Sequence, residues 1–121
     1  MGYMRHHAIL ITTFDEAYAD LAHKRASEIF PTTLISAVQE AVVNGFYSFA
    51  VFPDGSSEGW DDDIQGNANR EEFKAWLETQ RYEDRGSRYD WVEVQYGDDN
   101  WQTKIIADSD ALLREQGYKM D

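Results

Sequence analysis

Cysteine is absent from the 121-residue chain. That excludes disulfides, thiolate metal sites and thiol nucleophiles, and it fits a reducing compartment. Proline occurs only twice, at Pro31 and Pro53, so most of the chain is free to form helix or strand. Long apolar runs are missing too. The longest, Ala8 to Ile11, cannot span a bilayer, and no apolar segment near the start resembles a signal peptide. Positive charge is scarce: 11 Lys and Arg stand against 23 Asp and Glu, a formal net charge of -12. Such a field repels nucleic-acid phosphates and anionic membranes, so neither is expected as a direct partner. The basic cluster Arg81, Arg85, Arg88 is interleaved with Glu83, Asp84 and Asp90. Walker and Rossmann motifs are lacking, GSSEG over 55–59 carries the letters of Gly-x-Ser-x-Gly but is not read as a nucleophile elbow, and no cofactor is implied.

What is present is enough apolar material for one core. Hydrophobic residues make up 42% and aromatics 14%, so residues 1–121 read as one globular domain. Residues 1–5 are expected to be a flexible or added leader, with Met4 the native start, and residues 118–121 a tail.

His6 to Thr13, HHAILITT, reads as a buried central strand. Thr13 or Asp15 can cap a helix over Glu16 to Phe30. Its packing face would hold Tyr18, Leu21, Ala22, Arg25, Ala26 and Ile29, and Pro31 would stop it. A strand is expected near 33–38. Asn44-Gly45 marks a turn, and FYSFAVF over 46–52 is the clearest strand. An irregular acidic loop should occupy 54–66, followed by a helix over Asn67 to Tyr82. YDWVEVQY over 89–96 alternates like a half-buried strand, with Tyr89, Trp91, Val92 and Val94 available for packing. A hairpin at 97–100 would return through a strand over Trp101 to Ala107, and 110–117 is read as a short last helix. This order predicts an α+β fold. Two helices pack on one face of a mainly antiparallel sheet, a ferredoxin-like βαββαβ core plus an extra hairpin strand.

Candidate sites are few. DDDIQGNANREEF has the oxygen spacing of a calcium loop: Asp61, Asp63, Gln65, Asn67 and Glu72, with Gly66 at the bend. Against it, PDGSSEGW stands where an entering helix should be, and the capped start of an acidic helix explains the same residues. No metal is therefore expected. His6 and His7 are strand neighbours pointing to opposite faces, so they cannot share one metal. The loop from Pro53 to Trp60, with Asp54 and Ser56, combines small residues with one aromatic anchor. Tyr47, Trp60, Trp91 and Trp101 offer flat surfaces for stacking or for an interface, or else fill the core. With His7, Asp54, Ser56 and Arg88 they form the candidate binding set, and no catalytic residue is assigned.

The segments HHAILITTF, NGFYSFAVFPDGSSEGW and WVEVQYGDDNWQTKI together resemble a group of short phage and prophage accessory proteins. The resemblance implies a bacterial cytoplasm and transfers no catalytic residue. On this basis the expected role is non-enzymatic: binding and inhibiting a host protein, for instance one that normally holds DNA, as a monomer or homodimer. One alternative is a small-ligand binder such as a nucleotide sponge, using aromatics with Arg5, Arg70 or Arg88. The other is a hydrolase built on His7.

Overall fold

A computed structural model describes residues 5–57, 59–82, 84, 86–97 and 103–110. Five strands and two helices form an α+β fold. The first strand, β1 (His6–Thr13), lies at the centre of the sheet as its continuous apolar run requires. Helix α1 (Glu16–Ile29) starts on Asp15, whose Oδ1 accepts the N–H groups of Ala17 and Tyr18 at 2.8 and 3.3 Å. It ends ahead of Pro31, whose ring disfavours a helical Phe30. Its buried face is Ala19, Ala22 and Ala26. Leu21 is exposed instead, so the packing stripe is rotated from the expected one and small side chains bring the helix close to the sheet.

The strand expected over 33–38 is reduced. A 3-10 turn (Thr32–Leu34) follows Pro31, Ile35 makes an isolated bridge to Val51, and the two-residue β2 (Gln39–Glu40) pairs with β3 (Tyr47–Val51). Helix α2 (Asp61–Thr79) begins six residues earlier than the sequence implied. Gly66 is a weak helix former and the acidic stretch up to it reads as loop, but tertiary packing overrides propensity here. Asp61, Asp62 and Asp63 occupy the first turn, where the helix dipole favours carboxylates. Asp63 also accepts the Gly59 N–H at 3.0 Å, just ahead of the Trp60 N-cap.

Strands β4 (Asp90–Tyr96) and β5 (Lys104–Asp108) complete the sheet. All pairings are antiparallel, in the order β2-β3-β1-β4-β5. The first four strands follow the ferredoxin-like order, and β5 adds the hairpin strand at the edge. Both helices cover one face, over a core of Ile9, Ile11, Phe49, Val51, Phe73, Leu77, Tyr89 and Trp91. The other face leaves Leu10 and Ile105 exposed. The inward positions of β4 are Trp91, Glu93 and Gln95, all buried, whereas Val92 and Val94 turn to the opposite face. Residues 111–117 of the expected final helix and the hairpin loop at 98–100 lie outside the described residues. Among the described residues, no helix is long and apolar enough to cross a membrane.

Candidate functional site

Antiparallel register places His7 opposite Gln95 and Ile9 opposite Glu93. His7 and Glu93 are thus diagonal neighbours on the helix-covered face, within reach of each other. His7 Nδ1 lies 3.1 Å from Glu93 Oε2. Helix α2 crosses above them with Gly66, Arg70, Phe73, Lys74 and Leu77 along its buried stripe. Two cations on an otherwise apolar stripe, one turn apart, meet the one carboxylate on the inward face of β4. Lys74 Nζ sits 2.5 Å from Glu93 Oε1, and Arg70 Nε 3.5 Å from Oε2. The Glu93 side chain is only 3% exposed. A lone carboxylate so buried would cost several kcal/mol, and three surrounding donors offset that.

The titration behaviour follows from this geometry. Burial pushes Glu93 toward its neutral form, but hydrogen bonds from His7 and Lys74 and their charges outweigh it and hold the carboxyl below its ordinary value. For Lys74, burial acts to lower the value, and the bonds to Glu71 and Glu93 raise it instead. Both members of the pair are therefore ionised at neutral pH.

A pocket of about 310 Å³ opens over this cluster, near the lower limit for ligand sites. Ile9, Phe30, Leu34 and Val51 form an apolar floor and wall. His7 and Arg70 reach the pocket from β1 and α2, while Glu93 stays behind them. The loop after β3 supplies Asp54 and Ser56. Asp54 Oδ1 accepts both the N–H and the hydroxyl of Ser56, at 2.9 and 2.7 Å. Burial works against ionising Asp54, but the Ser56 bonds and the Arg70 charge win, leaving it below the usual carboxylate range. Exposed Asp62 and Trp60, the latter 57% exposed, stand at the mouth.

Gly66 leaves room for Asp54 and Arg70 beside the helix. A Cβ at this position would lie 3.1 Å from Asp54 Oδ2 and 3.2 Å from Arg70 Nη1. The missing side chain lets the carboxylate and the guanidinium each approach the helix backbone. Arg70 also donates to Asn67 one turn earlier.

Of the residues singled out in the sequence, His7, Asp54, Ser56 and Trp60 come together in this pocket. Tyr47 does not join them. It lies at the opposite end of β3, beside Glu40, which helps raise its phenol above the ordinary value along with burial. Trp91 is a core residue, 6% exposed. Arg88 is sandwiched between the rings of Tyr18 and Tyr82, 5.3 and 5.1 Å from their centroids, away from the pocket. Trp101 lies outside the described residues. The calcium loop is not formed, because its backbone is helical from Asp61 onward. Three of its candidate oxygens are engaged elsewhere, Asp63 with Gly59, Asn67 with Arg70 and Glu72 with Arg25, while Gln65 donates its amide N–H to Asn69. Among the described residues, no group of three or more His, Asp or Glu could hold a metal ion.

Sequence reasoning passed over Glu93 and Lys74. A signal did exist: a charged residue at an inward position of the alternating strand, together with Arg and Lys four apart on the same stripe as Phe73 and Leu77. No protein-family model, curated protein or solved structure matches this chain significantly.

Proposed function

We propose that this chain is a small-molecule-binding protein. Its ligand is compact and uncharged or zwitterionic, with a flat apolar body and one edge carrying hydrogen-bond acceptors and donors. The supporting observation is the convergence of His7, Arg70 and Asp54 over an apolar floor, with Trp60 exposed at the mouth. An acceptor edge suits the donors of Arg70, and a donor edge suits Asp54 and Asp62. Phosphate-rich ligands fit poorly, since two carboxylates flank the mouth and the chain carries a net charge of -12. Within the nucleotide alternative, a free base or nucleoside therefore suits the pocket better than a di- or triphosphate.

A thermal-shift screen tests this reading, with nucleobases, nucleosides, nucleotides, small aromatic amides and aryl ketones as probes. A ligand at about a hundred times its Kd should stabilise the fold by about 2.7 kcal/mol. That amounts to several degrees in Tm, with a change in Trp60 fluorescence, and Asp54→Asn or Arg70→Lys should weaken the response. Silence across the panel rejects the reading.

A second reading, a phage-type accessory protein that binds a host protein in the bacterial cytoplasm, draws on the net charge and on the sequence resemblance. Electrostatic recognition of that kind is salt-sensitive. Failure to recover any salt-sensitive partner from bacterial lysate counts against it.

A further inference from the structure

We infer that His7 is a general base for enolising a small ketone held in this pocket, with Glu93 as its positioning residue. This rests on the small-molecule reading above and adds a reaction to it. The imidazole is held through Nδ1 by Glu93 Oε2 at 3.1 Å. With Nδ1–H donating to the carboxylate, the lone pair on Nε2 is left as the proton acceptor, and Nε2 has no partner among the described residues. Lys74 on the other carboxylate oxygen, at 2.5 Å, keeps Glu93 from turning away. A base oriented by a buried acid is the arrangement proton abstraction requires.

Arg70 selects the reaction. Its Nε lies 3.5 Å from the same Oε2 that His7 binds, so the guanidinium stands beside the imidazole. A negative charge that develops when His7 takes a proton is met by a fixed cation. The step balances within the substrate and His7. The α C–H bond breaks and its proton goes to Nε2. The C–H electron pair forms the enolate C=C, and the carbonyl π pair moves onto oxygen, facing Arg70. The imidazolium then returns its proton to that oxygen, giving the enol, or to carbon, giving back the ketone. No cofactor or water is consumed. The Ser56 hydroxyl is engaged within its own loop, where Oγ donates to Asp54 at 2.7 Å. The apolar floor of Ile9, Phe30, Leu34 and Val51 disfavours a hydrolytic water and suits a hydrocarbon body.

The experiment follows loss of the α-proton signals of 2-tetralone in D2O by proton NMR, with thermal shift on the same samples. The full-length protein should accelerate exchange about 10²-fold or more over buffer. His7→Gln should abolish that gain while keeping a thermal shift with the ketone. In Glu93→Gln the exchange rate should fall while the thermal shift with the ketone is kept, and Glu93→Asp should restore the rate in part. Exchange that is equal in wild type and His7→Gln overturns the role of His7. A thermal shift without exchange overturns the chemistry and leaves the pocket reading standing. Neither response with 2-tetralone overturns the ketone class, and the binding reading then depends on the remaining panel alone.

Discussion

Replacing Glu93 with glutamine probes the buried charge cluster at its centre. Glutamine keeps the volume and one carbonyl acceptor but removes the negative charge shared by His7, Arg70 and Lys74. Lys74 and Arg70 are each about 10% exposed, so two cations would stay out of water without their main counter-charge. Breaking one side of a buried ion pair costs roughly 3–5 kcal/mol. Two compensations favour the lower figure: Lys74 retains Glu71 at 2.6 Å, and Arg70 retains Asn67 and the charge of Asp54. A loss of about 3 kcal/mol is a large share of the roughly 5–15 kcal/mol that stabilises a domain. With a urea slope of about 2 kcal/mol/M, the unfolding midpoint should fall by about 1.5 M. Tryptophan fluorescence reports the transition. Glu93→Gln combined with Lys74→Met should regain much of the loss, since a neutral pair replaces an ion pair, giving a coupling energy on the order of 2 kcal/mol. A single-variant midpoint shift below about 0.3 M would refute the reasoning, because only a solvated, surface-type pair is so cheap.

Acid titration offers a related check. Glu93 sits below its ordinary value of 4.5 in the folded chain, so its contribution is complete above that value and is lost as pH falls through the lower, folded value. The stability gap between wild type and Glu93→Gln should therefore close on acidification, as followed by urea melts across that range. Gly66→Ala gains about 1 kcal/mol of helix propensity but moves Asp54 and Arg70 by a few tenths of an ångström. Its urea midpoint should match or exceed wild type while the ligand-induced thermal shift shrinks, and a stability loss of more than about 1 kcal/mol would show that Asp54 and Arg70 cannot give way. Tyr89 donates to the Tyr18 carbonyl at 2.8 Å, and burial pushes its phenol up to about 12. It should ionise late in an ultraviolet titration, and Tyr89→Phe should lack that late step. Its stabilisation is present below the ordinary value of 10.0 and disappears as pH rises toward 12. Calcium should change neither Tm nor Trp60 fluorescence, because Asp61 and Asp63 belong to a helical turn. A saturable calcium response would contradict the helical start.

The elements whose signals are local were legible in the sequence. HHAILITT and the YSFAV of FYSFAVF form strands because stretches rich in β-branched and aromatic residues fit a pleated, buried surface. Helix α1 has its cap and its stop written beside it, in Asp15 and Pro31. Strand and helix order then led to the α+β arrangement and its ferredoxin-like strand order. The start of α2 was not legible, because Gly66 and the run of acidic residues before it speak locally for a loop while the burial of Gly66 that compensates is long-range. The site was half legible. His7, Asp54, Ser56 and Trp60 stood out by residue type, but Glu93 looked like one polar member of an alternating strand. An alternating pattern defines two faces and leaves open which of them the helices cover. Only the pairing of Ile9 with Glu93, and the crossing of α2 over that pair, turned Glu93 inward and set His7, Arg70 and Lys74 around it. His7 and Glu93 lie 86 residues apart, and no local rule of propensity or period reaches that far.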